Sequence, residues 1–131
     1  MSEAFRAYVE GNRYPAGDVA RAARHAFFAE TAAVEIAQPF NGVTGADGVE
    51  ATFLDGFLDA FDHVLRTDYM AFAGRFEDAD WVTSTGYFSG HFARDWLGLT
   101  ATGALAHLRF GEFHRLENGR AVESYIFLDL V

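Results

Sequence analysis

The chain has 131 residues, half of them hydrophobic, with only 2 Pro, which fits one domain over 1–131 and leaves no segment polar enough for a linker. Its 19 acidic against 10 basic residues give a formal charge of −9; with no basic run, nucleic acid is not an expected partner. Cys is absent, so disulfides and thiolate metal sites are excluded and a reducing compartment fits. The stretch MSEAFRAYVEGNRYPAGD lacks the basic and apolar regions of a leader, and no apolar run approaches the ~20 residues that span a bilayer, so a cytoplasmic location without membrane contact is expected.

Along the chain, residues 2–12 read as a helix with Phe5, Tyr8, Val9 and Asn12 on one stripe. The Tyr14-Pro15-Ala16-Gly17 break separates it from a second helix, capped by Asp18, whose apolar stripe is Val19, Ala22, Ala23, Ala26 and Phe27. Thr31 to Gln38 reads as a short strand ended by Pro39. A third helix starts near Asp47, with Glu50 in capping-box spacing, and carries Val49, Phe53, Phe57, Phe61 and Val64 inward as far as Leu65.

Beyond Leu65 the pattern changes to period two. Asp68, Met70 and Phe72 alternate with Tyr69, Ala71 and Ala73, followed by strands over 81–92, 104–116 and 120–130. Asn118-Gly119 marks a tight hairpin, because both residues accept positive φ. Helices first and strands last predict an α+β fold: N-terminal helices packed as a cap on a curved antiparallel sheet. The 14 Phe, 5 Tyr and 2 Trp supply its core, each burying roughly 150–250 Å².

Several chemistries lack their residues. The chain has no Gly-x-Gly-x-x-Gly, no phosphate-binding Gly-Lys-Ser/Thr, no His-Glu-x-x-His and no Gly-x-Ser-x-Gly elbow. Its five His, at 25, 63, 91, 107 and 114, match no metal-ligand spacing, so no metal is expected. What remains is acid/base work by a carboxylate or His in an apolar pocket.

The segment GHFARDWLGLTATGALAHLRFGEFHRLENGRAVESYIFLDLV, with FFAETAAVEIAQPFNGVTGADGVEATFLDGF upstream, resembles the polyketide-cyclase or ester-cyclase branch of the SnoaL-like family. That family lies within the nuclear-transport-factor-like superfamily. The carrying features are Trp96-Leu97-Gly98-Leu99, Ala101-Thr102-Gly103, the Gly111-to-Arg115 strand, Asn118-Gly119, and Glu123 with Asp129. The resemblance implies a cone-shaped roll and an intramolecular aldol closure without metal or organic cofactor, run by an Asp on the last strand with a His on the preceding one. Those positions fall at Ile126 and Glu112 here, so the Asp is lost. The His of the family's His-x-Gly turn falls at Phe92, with His91 one place earlier.

Alternation puts Phe110, Glu112 and His114 on one side of their strand, with Ser124, Ile126 and Leu128 beside them. Glu112 is the candidate acid/base, since burial among Phe and Ile lifts a carboxyl's pKa toward neutrality; the competing reading is an ion pair with Arg109 or Arg115. The expected ligand pocket lies between the third helix and the sheet, lined from Phe53, Phe57, Phe61, Phe72, Phe110 and Ile126. Further ligand candidates are His91, Phe92, His114 and Ser124. Asp95 and Trp96 lie on a loop that either covers a ligand or caps itself.

Two functions stand: a cofactor-free cyclase, isomerase or lyase acting on a hydrophobic, oxygenated small molecule, or a ligand-binding or regulatory module that lost the chemistry. A homodimer through the sheets is expected, because Phe113, Tyr125 and Phe127 point away from the helix-covered face.

Overall fold

The computed structural model describes residues 2–130, the side chain of Leu130 excepted. Helix α1 (Glu3–Gly11) is capped by the Ser2 side chain, which accepts from the Phe5 amide, and buries Phe5 and Tyr8. Helix α2 (Asp18–Phe27) buries Ala20, Arg24 and Phe27. This corrects the expected stripe, since Val19 is exposed. The helix turns its charged Arg24 inward because a buried carboxylate waits there. Asp18 opens the helix, but its side chain makes no capping bond.

Helix α3 is one continuous segment with a defect in the middle: α-helical over Gly45–Val49, π-helical over Glu50–Leu54 and α-helical again over Asp55–Ala60. The wider turn lets Glu50, Phe53 and Leu54 all face inward, a device that recurs at functional sites. Glu50 therefore does not reach back to cap the helix as its spacing suggested. The helix also stops at Ala60 rather than Leu65, and Phe61 and Val64 are buried from a strand. Aromatic and β-branched residues with period two take over there.

The strands are β1 (Phe28–Ile36), β2 (Asn41–Thr44), β3 (Phe61–Phe76), β4 (Ala79–Phe92), β5 (Leu105–Glu117) and β6 (Arg120–Leu130), in sheet order β2-β1-β6-β5-β4-β3. The β1–β6 junction is parallel and the other four are antiparallel, so the sheet is mixed rather than wholly antiparallel. The β5–β6 hairpin turns at Asn118 (φ 52°) and Gly119 (φ 77°), as the Asn-Gly pair requires. The helices cover one face of this open sheet in an α+β roll, and the side chains between the layers form one connected core. No described helix is long and apolar enough to cross a membrane.

Candidate functional site

Strand β5 alternates strictly through its middle, so Phe110, Glu112 and His114 face the helices opposite Leu128, Ile126 and Ser124 of β6. Glu112 is 3 % exposed and His114 is fully enclosed. A lone buried carboxylate would cost several kcal/mol, and the fold answers it from β3. That strand is interrupted by two bulges, between Asp62 and Leu65 and between Asp68 and Met70. Between them Arg66 turns inward. The second irregularity brings the Thr67 carbonyl so close to β4 that a Cβ on Gly86 would sit 1.9 Å from it, so only glycine permits this approach.

Arg66 Nη1 donates to Glu112 Oε2 at 2.9 Å and to the Tyr8 hydroxyl at 3.2 Å. Its Nε and Nη2 form a two-pronged pair with Asp68, both at 2.9 Å, and Ser84 Oγ donates to the same carboxylate. The guanidinium lies 4.4 Å from the Phe110 ring centroid, a favourable place for a desolvated cation. On its other oxygen Glu112 accepts from the Tyr8 hydroxyl at 2.9 Å and from His114 Nε2 at 2.8 Å. An ionised carboxylate offers only lone pairs, so Nε2 carries a proton. The His114 Nδ1 meets Ser124 Oγ at 2.7 Å.

Burial pushes the Glu112 carboxyl up, but the Arg66 charge and the hydrogen bonds from His114 and Tyr8 outweigh it and hold the pKa at about 2. This corrects the expected rise toward neutrality. The sequence offered Arg109 and Arg115 as partners; Arg109 is exposed and Arg115 pairs with Glu123 and Glu117. Tyr8 moves the other way, its phenol raised by burial and by the Glu112 charge.

A second buried ion pair lies under the helices. Arg24 donates from Nε to Glu50 Oε2 at 2.8 Å, and from Nη1 to Asn12 Oδ1 at 2.8 Å and the Pro15 carbonyl at 3.0 Å. Glu50 Oε1 also meets Arg21 at 2.8 Å and His25 at 2.9 Å. Burial raises the Glu50 carboxyl, but His25 and Arg24 bring it below its ordinary value. His25, Asp47 and Glu50 are the one cluster with metal-ligand spacing among the described residues. Two guanidinium groups already occupy its central carboxylate and oppose a cation.

The two networks meet at a cavity of ≈ 20 Å³, lined by Tyr8, Asn12, Pro15 and Arg24 from the cap, Val49, Phe53 and Leu54 from α3, and Arg66, Phe88, Glu112 and Ile126 from the sheet. Of the candidate residues, Phe53, Glu112 and Ile126 are thus brought together, with His114, Ser124 and Phe110 packed just behind them. Phe57, Phe61 and Phe92 instead form a closed aromatic cluster with Trp96. Trp96 is buried there, and Asp95 caps its own loop by accepting from the Ala101 amide at 2.8 Å.

Two candidates lie on the wrong side. His91 is exposed opposite Asp62 because alternation along β4 runs unbroken to Phe92. Phe72, paired with Thr83 on the far half of β3, is 57 % exposed on the outer face. The pattern passed over Arg24, Arg66 and Glu50 as site residues because charged side chains are ordinarily solvated. A usable signal existed: Arg24 sits between Ala20 and Phe27 on their helix face, and Arg66 two residues from Val64.

No family model and no curated protein matches the sequence, whereas many solved structures match the fold. A SnoaL-like protein from Jannaschia sp. CCS1, proposed as a polyketide cyclase, is 18 % identical at a TM-score of 0.72, covering 95 % of this chain and 81 % of its own. An NTF2-like protein of unknown function from Burkholderia pseudomallei K96243 is 20 % identical at 0.67, over 98 % and 92 %. TerC, co-crystallised with polyporic acid, is 15 % identical at 0.68, over 97 % and 89 %. With the cap, the sheet order and the inward-facing site all in place, the chain has the SnoaL-like, nuclear-transport-factor-like fold.

Proposed function

We propose that the protein binds a small hydrophobic, oxygenated molecule between its helical cap and its sheet, and that Glu112 shapes the pocket instead of transferring protons. The observation behind this reading is the saturation of Glu112. A carboxylate that accepts from Arg66, His114 and Tyr8 and titrates at about 2 is a weak base at neutral pH, far from the matched pKa that general catalysis favours. The family's acid/base position is Ile126, which brings no replacement. A volume of ≈ 20 Å³ holds about one water, so a ligand enters as the cap moves away from the sheet. TerC, which shares this fold, was co-crystallised with polyporic acid, and an apolar, oxygenated molecule of that kind agrees with the apolar walls here.

A second reading, the cofactor-free cyclase, isomerase or lyase, draws on one observation: Glu112 and the Tyr8 hydroxyl both border the cavity. Glu112→Gln separates the two. Ligand affinity measured by calorimetry against a panel of hydroxyquinones and aromatic ketones should change by less than about tenfold if Glu112 only shapes the pocket. Turnover by the wild type that disappears in Glu112→Gln would establish the enzyme instead.

The outer face supports a homodimer. Phe72, Phe76, Trp81, Phe113, Tyr125 and Phe127 border a concavity of ≈ 490 Å³ there, and four of them are more than 40 % exposed. A second copy of the sheet, self-complementary about a two-fold axis, is the occupant we infer, because it offers the same aromatic surface in return.

A further inference from the structure

Nearly every polar atom around the cavity is engaged, and those left open share one character. Arg66 spends all three of its nitrogens on Asp68, Glu112 and Tyr8. Arg24 does not. Its Nε and Nη1 are taken by Glu50, Asn12 and the Pro15 carbonyl, which leaves Nη2 without a hydrogen bond among the described residues. All fully enclosed side-chain nitrogens and oxygens there have partners. Nη2 therefore borders open space even though Arg24 is only 3 % exposed, and the cavity is the space this side chain lines. Asn12, 2 % exposed, gives one amide hydrogen to the Tyr8 carbonyl and keeps a second. Both of these open positions are donors.

The charges point the same way. Glu50 is shared by two guanidinium groups, Arg21 and Arg24, and Arg21 also reaches Asp55 at 3.5 Å, so the charges at this end of the cavity balance. At the sheet end one guanidinium, Arg66, faces two carboxylates, Asp68 and Glu112. The cavity is thus polarised from cap to sheet. A neutral acceptor would satisfy the open N–H groups, and a carboxylate does so through stronger, charge-assisted bonds to the guanidinium at the end of the cavity that lacks the excess carboxylate.

We propose that Arg24 Nη2, seconded by the Asn12 amide, docks the carboxylate of an apolar monocarboxylic acid whose body lies against Val49, Phe53, Phe88 and Ile126. This rests on the reading that the cavity takes a ligand at all. The order along the cavity fixes the pose, with the acid group under the helices and away from Glu112, which would repel it.

Benzoate and benzyl alcohol, matched in shape and differing in charge, test the assignment by calorimetric titration of the full chain at pH 7. Wild type should bind benzoate at least about tenfold more tightly, the worth of a hydrogen bond to a charged group. Arg24→Gln should abolish that preference, Arg21 remaining to balance Glu50. If the variant does not fold, nitrogen-detected spectra of wild type decide: benzoate should shift the Arg24 guanidinium and Asn12 amide signals. Benzyl alcohol binding as well as benzoate, a preference that survives Arg24→Gln, or unmoved Arg24 and Asn12 signals would each overturn the carboxylate site while leaving a ligand pocket intact. Failure of both probes to bind would remove the site together with the pocket reading.

Discussion

On strand β5, Glu112 and His114 face the helices and are buried, while Phe113 between them faces outward and is 44 % exposed. The same inversion runs along β6, where Ser124 and Ile126 are enclosed and Phe127 is 55 % exposed. Ordinary partition would place these side chains the other way round. On the inner face the inversion is complete: each buried charge has its counter-charge and each enclosed polar atom of the described residues has a partner, so the polar groups are fixed in one arrangement. On the outer face no such answer exists within the chain. Polar groups inside thus belong to the chain's own architecture, while apolar groups outside ask for another surface.

The largest test of that contrast removes the cation on which the inner face depends. Arg66→Met leaves Glu112 and Asp68 buried without their shared partner, and should cost about 4 kcal/mol in denaturant unfolding at an unchanged slope. A cost under about 1 kcal/mol would show that solvent reaches the network and that the inner face is not closed. Acid gives the next effect. The folded pKa of Glu112, about 2, lies below its ordinary 4.5, so its contribution is complete above about pH 5 and is lost as pH falls toward 2. Up to about 3 kcal/mol should disappear across that window in wild type, and the portion missing from the pH profile of Glu112→Gln is the share of this one group. The smallest effect on the fold belongs to the outer face. The double variant Phe113→Thr with Phe127→Thr should alter monomer stability by no more than about 0.5 kcal/mol, while sedimentation shifts from dimer to monomer. Wild type sedimenting as a monomer at micromolar concentration would break the comparison on this side.

How much of this the sequence carried depends on the range of the interaction. Local pattern placed the three helical regions, the Asn118-Gly119 hairpin and the inward set Phe110, Glu112, His114, Ser124 and Ile126, since alternation and turn chemistry act over a few residues. It did not place the end of α3, because Phe57, Phe61 and Val64 satisfy helical spacing while the backbone has already become strand at Phe61. It put Phe72 inside because the bulge between Asp68 and Met70 inverts the parity of the rest of β3, and alternation read along the chain does not reveal a bulge. The distant partners of the buried arginines were out of reach of local pattern: Arg66 meets Glu112 across 46 positions and Arg24 meets Glu50 across 26. Of these carboxylates only Asp68, two positions from Arg66, lies near its arginine in sequence.

The bond between Tyr8 and Glu112 joins residues 104 positions apart, and Arg66 reaches Tyr8 across 58. Closing such loops costs entropy before any contact rewards it, so the hairpins β3–β4 and β5–β6 have every reason to assemble before α1 docks and seals the network. Interactions completed after the rate-limiting step act on the lifetime of the folded state and leave the speed of reaching it almost untouched. The hydroxyl of Tyr8 then serves as a latch on an otherwise finished sheet: its loss would let the protein open sooner while letting it fold just as fast.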